Sequence, residues 1–341
     1  MKKLLSSISK IFNRNKDLSH YGKEPEITLE KTSTEENKVL NPDNNNSESK
    51  TGEDYLTVSE NEILPTRKGD FRLNKFIEEG VCQVFKGTPV SVKDKRKLDK
   101  CILVKRVHPE WHNNKEVLEQ FKREIGIIRD FIHPLLPHFV DKGELAGQYY
   151  YAYEFIEGEP LINIFNDKKN FPREKLIELA PLVLMQLLDQ LKYLHEQMFT
   201  IVHGDISVEN IIYSNQNSVH LIDFGCAYRK QKVTEKSYHW LGKPSYITPE
   251  QARGEPWSKT SDLYQAGILF YELVSGLRWN KGNTPAEKVL FAASVDSPDK
   301  NFLSHWVPSP LSELVSKMLQ AEESQRISSA KECQELLAPY V

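Results

Sequence analysis

An α+β architecture follows from the order of periodicities along the chain. Residues 71–105 alternate apolar and polar side chains in three runs, FRLNKFI, CQVFKGTPV and KCILVKRV, as strands do. From residue 158 onward the apolar spacing becomes helical, interrupted only by two short β-like runs. A strand-rich unit followed by a helix-rich unit is the α+β pattern. Composition agrees with a globular chain: 341 residues, 39% hydrophobic and 27% charged.

The N-terminal segment is read separately. Residues 1–16 carry Lys2, Lys3, Lys10, Arg14 and Lys16 and no acid. At 100° per residue, Leu4, Leu5, Ile8, Ile11 and Phe12 fall on an arc about 120° wide, with Lys3, Lys10 and Arg14 opposite. A short basic amphipathic helix of this kind can contact an anionic membrane surface or a partner. Its apolar positions are periodic, not continuous, which excludes a secretory signal. Residues 17–63 hold 12 acids against 4 bases and include NPDNNNSESKTGEDY. Such a segment cannot bury enough apolar surface to offset chain entropy and is expected to be a disordered linker.

The folded domain is placed at 64–341. In it, Val117, Leu118, Phe121, Ile125 and Ile128 give a helix over 115–131, stopped by His133-Pro134. YYYAYEFI (149–156) reads as an aromatic-rich strand. LIELAPLVLMQLLDQLKYLHEQ (176–197) carries the broad apolar stripe of a buried helix, and IIYS and VHLIDF form two β-runs around the turn NQNS.

Composition also excludes several functions. A net charge of −3 argues against a dedicated nucleic-acid binder. Cys82, Cys101, Cys226 and Cys333 are far apart and form no CxxC pair, so neither a disulfide framework nor a structural zinc site is expected, and a reducing, cytoplasmic setting is. No run of about 18 apolar residues occurs to span a membrane.

Chemistry concentrates between the two units. Asp205, Asn210 and Asp223 bring hard oxygen donors close to a β-turn, a set suited to Mg²⁺ and, through it, to phosphates. One Asp of such a group could take a proton from an attacking hydroxyl. Upstream, Lys105 ends the apolar β-run ILVK, where a fixed cation can hold phosphate oxygens. Glu124 lies on the apolar-striped helix, in reach to pair with it.

These residues sit in motifs. ILVK (102–105), HGDISVEN (203–210), DFG (223–225), GKPSYITPE (242–250) and SDLYQAGILFYEL (261–273) occur in that order. The constellation resembles the eukaryotic-like protein kinase family over roughly residues 70–341. The resemblance implies a bilobal kinase-like fold: a small β-rich N-lobe with one main helix, about 70–156, and a larger helical C-lobe, about 157–341. It implies ATP and Mg²⁺ as cofactors, Asp205 as catalytic base, Asn210 and Asp223 as metal ligands, and Lys105 on the phosphates paired with Glu124. By the same likeness Tyr153 is the gatekeeper, Glu154 to Ile156 the adenine-binding hinge, and Arg326 the partner of Glu250.

Three departures from the family pattern bear on function. The stretch Ile77-Glu78-Glu79-Gly80-Val81-Cys82, aligned on Val84, lacks the family's three loop glycines; Gly80 falls on a neighbouring position, and Glu79 puts an anion near the phosphates. Glycine lets backbone N–H groups approach phosphate closely, so ATP is expected to sit less snugly, contacting Gly80 and Val84. Gly204 replaces the arginine that receives an activation-loop phosphate, making the chain non-RD in type; phosphorylation of Thr234, Ser237 or Tyr238 would find no such cation. Ser207 replaces the catalytic-loop lysine while Lys243 replaces a threonine, so a cation is lost at one position and gained at its partner. The expectation is that Lys243 supplies positive charge beside Asp205.

Three function classes follow: a Ser/Thr-type protein kinase acting on a protein substrate, independent of activation-loop phosphorylation; a pseudokinase scaffold, favoured by the degenerate loop; and a small-molecule phosphotransferase, since HGDxxxxN also resembles the loop of aminoglycoside and choline kinases.

Overall fold

Eleven short strands and eight α-helices account for the regular structure of the residues that the computed structural model describes, 61–90, 100–230 and 242–341. The readings of residues 1–16 and of 17–60 fall outside them, as do Thr234, Ser237 and Tyr238.

Six antiparallel strands form the N-lobe sheet: β1 (Ile63–Thr66), β2 (Gly69–Glu79), β3 (Cys82–Pro89), β4 (Ile102–Val107), β5 (Phe139–Leu145) and β6 (Gln148–Glu154), in the order β1-β2-β3-β4-β6-β5. β1 begins at Ile63, one residue before the expected domain boundary. Alternation in β4 buries Ile102 and Val104 in a cluster with Leu64, Phe71, Leu73, Phe85 and Ala152, while Lys105 takes the other face. Register sets Lys105 between Val84 on β3 and Tyr151 on β6.

Helix α1 (Lys115–Ile128) is started by Asn114, whose side chain accepts the Val117 N–H at 3.1 Å. It ends three residues short of the expected 131, and Phe131 instead packs edge-on against Phe224 at 4.7 Å. Its apolar face, with Val117, Phe121, Ile125 and Ile128, also buries two polar residues, Gln120 and Glu124, one turn apart.

The remaining elements are β7 (Glu159–Pro160), α2 (Leu161–Asn166), α3 (Arg173–His195), β8 (Ile201–Val202), β9 (Ile211–Tyr213), β10 (Val219–Leu221), β11 (Tyr228–Arg229), α4 (Pro249–Arg253), α5 (Lys259–Ser275), α6 (Pro285–Ser294), α7 (Ser309–Met318) and α8 (Ala330–Leu337). Helix α3 buries Val183, Leu184, Leu187, Leu188, Leu191 and Leu194 against the C-lobe core. Helix α5 is buried on every side, bounded by the Ser258 capping box and by Gly276 at φ 67°. Among the described residues no helix is long and apolar enough to cross a membrane.

One buried ion pair ties the C-lobe together. Arg326 donates from two guanidinium nitrogens to Glu250, at 2.9 and 3.0 Å, with both side chains almost wholly buried. Burial pushes the Glu250 carboxyl up, but the Arg326 bonds outweigh it and hold the group below its ordinary value. Its contribution to stability is therefore present above the unfolded value of about 4.3 and is lost as pH falls through the lower folded value. Arg326→Ala, which strands a buried carboxylate, is expected to cost about 3–5 kcal/mol at neutral pH. Urea unfolding would measure it; a midpoint unchanged from the parent would contradict the pair's role.

Candidate functional site

Two clusters of charged side chains face each other where the sheet meets the helical lobe. The first is built on β4 and α1. Lys105 Nζ lies 2.9 Å from Glu124 Oε1 and 2.9 Å from Asp223 Oδ1, so the amine–carboxylate pair read from sequence forms and gains a second carboxylate. Burial alone would lower the lysine's pKa; Asp223 and then Glu124 outweigh it and hold the ammonium well above its usual range. Tyr151, absent from the sequence reading, donates its hydroxyl to Glu124 Oε1 at 2.7 Å, and its ring packs 5.3 Å from that of Phe121. Its placement follows from register alone, as the β6 neighbour of Lys105.

The second cluster rests on the loop 203–210, which lacks regular ladders and borrows its partners from α5. Asp262 accepts the N–H groups of His203 (3.0 Å) and Gly204 (2.8 Å) and also contacts His195 Nε2 at 2.9 Å. Gln265 accepts the Ile206 N–H and donates to the Gly204 carbonyl, which Gln251 also serves. These buried groups meet the loop's otherwise unsatisfied backbone. Gln251 and Gln265 too escaped the sequence reading, because their roles are set by what the loop brings against them and not by a local pattern.

The held loop presents the Asp205 carboxylate. Its Oδ1 accepts the Lys243 backbone N–H at 2.9 Å, and its Oδ2 accepts Asn210 Nδ2 at 2.9 Å and Lys243 Nζ at 3.1 Å. Lys243 Nζ also donates to Asn210 Oδ1 at 2.9 Å. The ammonium of Lys243 thus bridges two of the three oxygen-bearing side chains singled out in sequence. Burial would lower its pKa, but Asp205 and then Asp223 raise it above the usual value. Ser207 is fully buried, and among the described residues its hydroxyl has no hydrogen-bond partner.

Asp223 closes the site. It takes a left-handed backbone, φ 58°, which ends β10 at Leu221 and not at the expected Phe224. Such strain in a non-glycine residue costs on the order of 1–3 kcal/mol. Burial would raise its carboxyl, yet Lys105 and then Lys243 hold it well below the carboxylate range. Its side chain stays 45% exposed. The Gly225 N–H donates to Asp223 Oδ1 at 3.3 Å, and Phe224 is clamped edge-on by His203 and Phe131.

The other sequence-predicted positions have the following partners. Gly80 donates its N–H to the Cys82 carbonyl at 3.1 Å, and a Cβ there would meet nothing within 4 Å. Val84 is buried beside Lys105 in register; the Glu79 side chain lies outside what is described. Tyr153 is buried against Tyr151; Glu154 pairs with Lys100 at 3.1 Å, the Phe155 N–H donates to the Cys101 carbonyl, and Ile156 is half-buried.

Gly204 is required by its surroundings. Its φ is 76°, and a Cβ would lie 3.2 Å from Trp257 Nε1 and 3.5 Å from the Cys226 carbonyl oxygen. Trp257 in turn packs edge-on against Tyr228, whose hydroxyl donates to the Trp257 carbonyl. A side chain at 204 would run into the Trp257 ring and Cys226.

The two-lobed architecture with a charged cleft agrees with comparisons to known proteins. A protein kinase domain model matches residues 85–339. The chain belongs to the protein kinase domain family. It is 29% identical over 239 residues, 70% of this chain, to a protein of Clostridium perfringens named "Probable serine/threonine-protein kinase". It is 31% identical over 270 residues, 76% of this chain, to a serine/threonine-protein kinase of Myxococcus xanthus, and 27% identical over 239 residues, 65% of this chain, to the tyrosine-protein kinase MasK of the same species. It spans 34%, 31% and 36% of these relatives' own lengths.

Gly204→Ala is expected to lower stability by about 1–2 kcal/mol from the left-handed backbone, and Gly204→Arg by more because it must displace Trp257. Thermal unfolding would check this; a Gly204→Arg variant as stable as the parent would show the space against Trp257 to be open.

Proposed function

We propose that this chain is a protein kinase that transfers the γ-phosphoryl group of ATP to a serine or threonine hydroxyl of a protein, using Mg²⁺ and no activation-loop phosphate. The observation that carries the reading is the convergence of Lys105–Glu124 and Asp223 with the Asp205–Asn210–Lys243 cluster. Family membership and the serine/threonine kinases among the relatives support it.

In this reading Asp205 orients the attacking hydroxyl and accepts its proton. A carboxylate offers about four lone-pair sites, and three are used by Lys243 N, Lys243 Nζ and Asn210 Nδ2. Lys105, fixed by Glu124, holds phosphate oxygens. Lys243 supplies the cation that Ser207 cannot, next to the atom where charge changes.

The donor chemistry fits a hard divalent cation at Asp223: the carboxyl is held ionised, half-exposed, and only its Oδ1 accepts hydrogen bonds among the described residues. Among those residues no three His, Cys, Asp or Glu side chains gather as a metal set, so Asn210 is the further oxygen within the cluster, and it shares its Oδ1 with Lys243. Bound there, Mg²⁺ would neutralise charge on the phosphates. The basic amphipathic run 1–16 supports a peripheral contact with an anionic membrane surface or a partner.

A phosphorylation assay with labelled ATP and generic protein acceptors tests the reading. Asp205→Ala and Asp223→Ala are expected to abolish transfer while Mg·ATP titration still detects nucleotide binding in the former. Turnover with small alcohols alone, or none in the parent, would overturn it. Lys243→Ala is expected to lower kcat about 10²–10³-fold, with little change in KM for ATP; unchanged turnover would remove Lys243 from the machinery. The triple alanine variant of Thr234, Ser237 and Tyr238 should keep more than a tenth of parental activity.

A further inference from the structure

Helix α1 sends two buried polar side chains into the site, and only one of them is accounted for above. Glu124 receives Lys105. Gln120, one turn earlier and 9% exposed, donates from Nε2 to the Gly225 carbonyl at 2.8 Å, across 105 residues of sequence.

The bond completes a circuit. The Gly225 N–H donates to Asp223 Oδ1 at 3.3 Å, Asp223 Oδ1 accepts Lys105 Nζ at 2.9 Å, and Lys105 Nζ donates to Glu124 Oε1 at 2.9 Å. Glu124 and Gln120 are then joined by the turn of helix between them, since residues four apart share a face. A second tie lies at the other end of the helix: Arg229 donates to the Gly126 carbonyl at 3.1 Å and to Asp130 Oδ2 at 2.7 Å. Helix α1 is therefore fastened to the segment 223–229 at two levels, by groups that carry no phosphate.

We propose that Gln120 is a positioning residue, holding α1 against Gly225 so that Glu124 and Asp223 keep Lys105 between them. The proposal rests on the kinase reading for its consequence in nucleotide binding, not for its geometry. A circuit restrains each member through two routes, so opening one link loosens the others; a buried amide that only satisfied a stray carbonyl would not do so. In place of a phosphate docked on an arginine, the site uses one neutral side chain and a backbone carbonyl, while Trp257 and Cys226 stand against Gly204 where the arginine would be.

The test uses the full chain with Gln120→Met, which keeps length and loses the donor, and with Gln120→Asn, which keeps the amide but is too short to span. Two readouts are needed. Hydrogen exchange without nucleotide should accelerate at least tenfold over residues 115–128, with 173–195 unchanged. Affinity for Mg·ATP should fall about tenfold, raising KM more than it lowers kcat. In a double-mutant cycle with Glu124→Gln, the two losses should be markedly less than additive, because either opens the same circuit. Exchange and affinity equal to the parent's, exchange raised uniformly over both helices, or strictly additive losses would each overturn the proposal. If Gln120→Met fails to fold, Gln120→Asn decides. A parent that binds no ATP would sink the kinase reading while the exchange result still judges the circuit.

Discussion

Everything in the cleft depends on one ammonium held between two carboxylates from different parts of the chain. Taking Lys105 out of water is costly, and a single partner would repay it poorly. Glu124 from the N-lobe helix and Asp223 from the C-lobe together reverse the sign, leaving the lysine firmly charged. The same contact is what the two lobes have in common. Tilting α1 away would strand Glu124, which is nearly fully buried, beside Tyr151 alone. Letting Asp223 relax from its left-handed backbone would free the strain but break its bonds to Lys105 and Gly225. Position and charge state therefore sustain each other.

The opposite wall is kept in shape by neutral and charged side chains of α5 acting on backbone. The loop 203–210 has only one 3-10 turn of its own, yet its amides are met by Asp262 and Gln265 and its Gly204 carbonyl by two glutamines. A polar side chain inside an apolar helix is costly unless it is paired, and here the pairing is the loop itself. A rigid helix thus fixes an irregular loop, and under the proposed function the carboxylate at the loop's tip is already in place when substrate arrives.

Much of this was legible in the residues. The strands β2, β3 and β4 follow from alternation, β6 from its run of aromatic residues, and α1 and α3 from apolar spacing, because burial on one face imposes a period that sequence carries directly. The site's principal acids and amines were legible through their motifs. Less legible are β1 and β5: β1 is only four residues, ILPT, with a proline in it, and β5 is interleaved with charge, FVDKGEL, so neither shows a clean alternation although each pairs with the strand that follows it. Tyr151, Gln251 and Gln265 have roles set by register and lobe contact, so no local pattern marks them. The ends of α1 and β10 were misplaced for a similar reason: Phe131 leaves the helix to pack on Phe224, and Asp223 bends out of its strand to reach Lys105.

The exchange of Ser207 and Lys243 has a consequence beyond charge balance. A lysine at position 207 would bring its cation on the same loop as Asp205, so cation and carboxylate would stay together whatever the following segment did. Here Ser207 is sealed in the interior, and the cation comes from residue 243, on the stretch that leads into α4. That one residue makes two contacts with Asp205, through its backbone N–H and its ammonium, and a third with Asn210. If the segment around 243 swung away, Asp205 would lose two of its three partners in a single step, and Asn210 Oδ1 would lose its ammonium. Under the proposed function the electrostatics of transfer therefore depend on the placement of that segment by geometry alone. A kinase built this way can couple a segment's position to its chemistry without a phosphate, because the charge that matters moves with the backbone that carries it.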